Sequence, residues 1–240
     1  MREKTLRITS GSSAVMAEEP CTFEKTGYNI TRNLFLSEVT MKKLRSLFFE
    51  TEMTWRRVLL FAVATAALTA LLLVLPFTKY TSLANVGTLP ESWILFALYV
   101  ILNCKTPKEA GCKTFIFFLV SQPLIYLLQV PFSSVGWQIF YYYPRWFVAT
   151  LFCFPGAMIA WYVKKNNILS ALILSVANIM LVVIGVYFLT SFPHYILSAI
   201  YCFVLAVLFI FMFLQGKRQR LVAGAVTLAA AAASVVYFLL

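Results

Sequence analysis

Long apolar runs alternate with short polar connections along the chain, and the runs show no period of two. Six have the length of a membrane helix: residues 58–77, 115–132, 146–163, 168–189, 195–214 and 221–240. A hydrocarbon core of ~30 Å needs about 20 predominantly apolar residues in helical form. Continuous apolarity argues against a membrane β-barrel, and an open strand would leave backbone groups unpaired in lipid. A seventh run, 93–102, is short by itself. It extends to 88–105 if Pro90 is the first helical residue and Lys105 stretches its charge to the interface. That stretch is roughly 27 Å of helix, enough to span. The predicted fold is therefore all-α, a polytopic transmembrane bundle of about seven spans.

Charge orients the bundle. Threaded through seven spans with the N-terminus inside, all of the 20 Lys and Arg except Lys79 and Arg145 fall on the cytoplasmic side. Removing the short second span would place the later basic connections on alternating wrong sides. The N-terminus is expected inside and the C-terminus outside. Aromatic residues fit the same scheme. Trp55, Trp161 and Tyr162 fall at the inner boundary, while Tyr80, Trp93, Trp137 and the run 141–146 fall at the outer one.

Composition narrows the class. The chain is 61% hydrophobic and 12% charged, which excludes a soluble globular enzyme, a disordered chain and a disulfide scaffold. The net charge of +11 implies anionic headgroups of the inner leaflet as its partner, and no nucleic acid; setting topology also suffices to explain it. Residues 1–54 read as a cytoplasmic tail and 55–240 as the transmembrane domain. Within the tail, 37–53 reads as a short interfacial helix capped by Ser37, with Leu44, Leu47 and Phe48 on one face. A solvated linker is the alternative.

Catalytic chemistry is sparse. There is one histidine, His194, and no Asp. Metal sites built from His, Cys and carboxylates are therefore not expected, nor is a cofactor. The cysteines are Cys21, Cys104, Cys112, Cys153 and Cys202, and the close pair Cys104 and Cys112 faces the reducing side. Glu91 and Glu109 lie at the edges of connections, so no carboxylate is expected inside a span. Ion-driven carriers commonly place one there. No catalytic set emerges, and an enzyme is not expected.

Uncharged polarity remains. Gln122, Tyr126 and Gln129 are spaced by four and three, which puts them on one helix face. Pro123 beside them frees a carbonyl one turn back. Asn178 sits near the middle of the fifth span with Ser175 before it. Pro155 and Gly156 fall near the middle of the fourth span and should kink it. These features share a depth, which predicts a polar pocket walled by the third, fourth and fifth spans. The same amides could equally act as interhelical glue. Ala62, Ala66 and Ala70 form a small-residue stripe on the first span, and the last span is alanine-rich; each allows close packing inside this chain or on a partner membrane subunit.

Two segments, residues 103–132 (NCKTPKEAGCKTFIFFLVSQPLIYLLQVPF) and 154–175 (FPGAMIAWYVKKNNILSALILS), resemble uncharacterised multi-pass membrane proteins of Gram-positive bacteria. The resemblance implies a bacterial cytoplasmic membrane and no particular activity. The Ala62, Ala66, Ala70 stripe is also similar to the Ala-x-x-x-Ala surface of substrate-binding subunits of energy-coupling factor transporters, which are membrane-embedded and lack their own ATPase. The expected function is a binding or permeation subunit for a small, largely uncharged solute, with Gln122, Tyr126, Gln129 and Asn178 as contacts. The alternative is a non-transporting scaffold, sensor or assembly partner.

Overall fold

A computed structural model of the chain describes residues 51–75, 78, 81, 82, 84, 90–165, 167–192 and 195–239. Residues 1–50 of the tail, with nearly all of the interfacial helix expected at 37–53, lie outside the described residues, as do Lys79, Tyr80 and His194. The described residues form seven α-helices and no strand. They are α1 (Trp55–Val74), α2 (Pro90–Leu102), α3 (Pro107–Gln129), α4 (Tyr143–Ala160), α5 (Ile168–Ser191), α6 (Ile196–Phe213) and α7 (Lys217–Leu239). Six are long and apolar enough to cross a membrane, and α2 is the shorter exception. Short 3-10 turns follow α3 and α4 and precede α4.

Local chemistry sets the helix starts. The Thr54 hydroxyl accepts from the Arg57 N–H at 3.4 Å and caps α1. Thr106 caps α3 by accepting from the Glu109 N–H at 3.2 Å, with Pro107 in the first turn. Asn167 caps α5 by accepting from the Ser170 N–H at 2.9 Å.

The second span was expected to run 88–105; among the described residues α2 covers Pro90–Leu102 and ends before Asn103. Thirteen residues make about 20 Å of helix. The helix stops because the backbone beyond it is engaged elsewhere. The Asn103 carbonyl accepts from the Met53 N–H at 3.2 Å, and its side chain accepts from the Thr51 N–H at 3.2 Å. The Cys104 carbonyl accepts from the Trp161 indole at 3.0 Å and the Lys164 ammonium at 2.9 Å. Lys113 is buried nearby, donates to the Met53 carbonyl and pairs with Glu109. These bonds gather the start of α1, the end of α2, the start of α3 and the end of α4 at one end of the bundle.

Packing divides the helices into two groups. α1 lies along α3, and α3 lies along α4, with α2 beside them; α5 packs against α6 and α7. Ala62 and Ala66 are buried in a cluster with Val100, Phe117 and Ile125, and Ala70 is buried too. The small-residue stripe is thus used inside this chain. Phe61 stacks on Phe117 with centroids 5.3 Å apart. In the second group, the Gln219 amide donates to the Asn167 carbonyl at 2.7 Å and joins the starts of α5 and α7.

α3 and α4 pack tightly at Gly111. A Cβ there would meet Met158 Cγ at 2.9 Å and the Phe154 carbonyl oxygen at 3.0 Å. Gly111→Val is expected to lower thermal stability in mild detergent, by about 1–3 kcal/mol as for other overpacked sites. Gly224→Val, whose Cβ would meet nothing within 4 Å, should leave the melting temperature near that of the wild type.

Candidate ligand-binding cavity

The spacing of Gln122, Tyr126 and Gln129 puts them on one face of α3, and all three line a cavity of about 220 Å³. Thr69 and Leu73 of α1, Trp93 of α2, Ile125 of α3 and Trp146 of α4 also line it. Tyr126 and Trp146 stand together in its wall. The Tyr126 ring also packs on Phe140 and Tyr143, at 5.6 and 6.2 Å. Gln122 is buried, and among the described residues no hydrogen bond holds its side-chain amide.

A larger cavity of about 730 Å³ adjoins the first and shares Trp93, Gln122 and Trp146 with it. It lies between α2, α3, α4 and α5. Thr114, Phe118 and Gln122 form its α3 wall at four-residue spacing. Its lining is otherwise almost wholly aliphatic and aromatic. The Thr150 hydroxyl donates to the Trp146 carbonyl at 2.9 Å, and the Thr114 hydroxyl is buried without a partner. Among the described residues, no charged side chain lines either cavity. The two cavities extend along α3 from Thr114 to Gln129, about 22 Å at the helical rise.

Pro155 and Gly156 matter here by what they leave out. α4 runs unbroken through Pro155, as α3 does through Pro123. Each proline leaves one carbonyl, Leu151 or Leu119, without its helical donor. Gly156 faces the larger cavity, and a Cβ there would meet nothing within 4 Å. Its missing side chain contributes open volume.

Three expectations are corrected. Asn178 does not join the other amides. Its side chain donates to the Ala206 carbonyl at 3.3 Å and to the Thr227 hydroxyl at 3.4 Å, holding α6 and α7 to α5. The cavity face of α5 is instead Ile173, Val176, Ala177 and Met180. Because α5 is apolar on every side, its sequence does not show which face meets which neighbour. Second, Trp93 is not a boundary anchor; it is buried between both cavities. Third, Glu91 is not at a loop edge. It is the second residue of α2, 0% exposed, and neither carboxylate oxygen has a hydrogen-bond partner. Its place in the first turn lets the helix N-terminus offset some of the cost.

Comparison of the chain with protein-family models, curated proteins and solved structures finds no match. The functional reading therefore rests on the cavity.

Asn178→Leu is expected to destabilise the protein by about 0.6–2 kcal/mol, the range for membrane interhelical hydrogen bonds. Occupancy of the cavity should not change. Thermal unfolding, together with mass spectrometry of retained small molecules, measures both.

Proposed function

We propose that the chain is a multi-pass membrane protein that binds one small, largely uncharged molecule between its helices. The observation that carries this reading is the cavity of about 730 Å³, whose described lining residues are all uncharged, within the ~300–1,000 Å³ range of small-molecule sites. Gln122 is its recognition group, supported by Tyr126 and Gln129 in the smaller annex. An amide without an internal partner, set in an apolar wall, discriminates ligands by whether they can bond to it. Asn178 serves cohesion instead, since its amide nitrogen already bonds to α6 and α7.

Binding is favoured over free permeation of a hydrated solute. From Gln122 to Thr114, about 12 Å along α3, the walls replace almost no hydrogen bonds to water. A ligand suited to this path carries little water with it. The same proposal places the N-terminus on the cytoplasmic side of a bacterial plasma membrane. The support is the basic bias obtained when α2 is counted as a crossing, which leaves only Lys79 and Arg145 on the other face.

The test is to purify the full chain in mild detergent and look for a retained molecule by native mass spectrometry. Wild type should carry a neutral small molecule released on denaturation. Gly156→Leu should lose it with little change in melting temperature, because the new side chain enters open space. Gly156→Ala should lose part of it. Equal retention in wild type and Gly156→Leu, or none in wild type, would sink the reading.

A further inference from the structure

The place where the larger cavity opens says more about its ligand. Phe152 and Ile159 of α4 and Val176 and Met180 of α5 line the cavity, yet they are 71%, 58%, 62% and 47% exposed. They form two lips. α4 packs mainly on α3, whereas α5 packs mainly on α6 and α7. The two lip-bearing helices therefore meet along a seam rather than a packed interface. Both belong to segments long and apolar enough to cross a membrane, and all four lip residues are apolar. A mouth on such a surface faces hydrocarbon, not water.

The polar annex lies toward one end of the same site. Tyr126 touches Phe140 and Tyr143 there, and Trp137, Tyr141 and Tyr142 next to them are exposed. Aromatic clusters of this kind mark headgroup depth. The site is thus apolar from Thr114 toward Gln122 and hydrogen-bonding from Gln122 to Gln129.

We infer that the ligand is a membrane-resident amphiphile with a long apolar body and one uncharged hydrogen-bonding head, and that it enters sideways between α4 and α5. Its head rests against Gln122, Tyr126 and Gln129, and its body fills the larger cavity. The inference rests on the ligand-binding reading above and narrows it to a chemical class. The head is uncharged because, among the described residues, no charged side chain lines either cavity. The nearby Arg145 stands over the Tyr142 ring, 6.0 Å from its centroid, and lines neither one. A phosphate or carboxylate would lose its hydration there without a cation to replace it. A hydroxyl, amide or carbonyl head would satisfy the free Gln122 amide.

The experiment uses the full chain in phosphatidylcholine nanodiscs with a long-chain alcohol carrying a mid-chain diazirine. The matching alkane and the ionised fatty acid serve as comparison probes. The alcohol should label the cavity-facing peptides of α3, α4 and α5 saturably. Unlabelled alcohol should compete at least about tenfold better than alkane or ionised acid, a difference of about 1.4 kcal/mol. Gln122→Leu should erase the preference for alcohol over alkane. Val176→Trp, on the lip, should slow labelling without changing its final level; Phe152→Ala, which widens the mouth, should speed it and guards against a folding defect in the first variant.

Equal competition by alkane and alcohol overturns the assignment of the head. Labelling that never saturates and spreads over all lipid-facing helices shows ordinary bilayer lipid and overturns the inference. Labelling abolished by self-association shows a second copy covering the seam and does the same. If mass spectrometry finds a retained molecule but no alkyl probe labels the cavity, this inference fails and the binding reading stands. If neither is found, both fail.

Discussion

A lysine buried in an apolar bundle must find its counter-charges inside the protein, and Lys113 sets much of the rest. Its ammonium is satisfied by Glu109 one turn before it and by the Met53 carbonyl from the segment before α1. Separating these groups would leave an uncompensated charge in a poorly solvated place, at a cost of several kcal/mol. The bonds pin the start of α1 beside the first turns of α3. That fixes the register in which Ala62 and Ala66 enter one buried cluster with Phe117 and Ile125. The neighbouring Cys104 carbonyl, bonded by Trp161 and Lys164, brings in the end of α4. Four helices are located by polar contacts at one end, and apolar packing completes their alignment.

The second group is held by other means. Asn178 in mid-helix and Gln219 at the helix starts tie α5 to α6 and α7. Polar bonds therefore concentrate within each group. The seam between α4 and α5 is faced by apolar side chains, which stay in contact with lipid at little cost. A cavity survives there because nothing bulky fills it: Gly156, Ala157, Ala149 and Ala177 supply small side chains or none.

Much of the architecture could be read from the residues. Apolar runs located all the long helices, since hydrophobic length is what a bilayer constrains. The ends moved where a polar group found a specific partner. α3 begins at Pro107 rather than 115, through Lys108, Glu109 and Lys113, because a Thr106 cap and an internal ion pair make those charges compatible with helix. α2 is shorter than expected because Asn103 and Cys104 bond across to other segments. The face shared by Gln122, Tyr126 and Gln129 follows from helical spacing alone. The role of Asn178 and the burial of Glu91 and Trp93 do not, because each depends on which neighbour stands opposite. A uniformly apolar helix encodes that choice in side-chain volumes rather than in polarity.

The shortness of α2 has a mechanical consequence. A helix matched to the hydrocarbon thickness is held along its axis by both interfaces. At 13 residues, α2 is not held in that way. Its position comes from the knot at Asn103 and from the Ser92 and Tyr201 hydroxyls, which share a hydrogen bond of 3.1 Å with α6. Yet α2 supplies Trp93, Ala97 and Ile101 to the cavity wall. One side of the chamber is therefore positioned by hydrogen bonds near the two ends of a short helix, and its geometry follows the neighbouring segments that supply those partners.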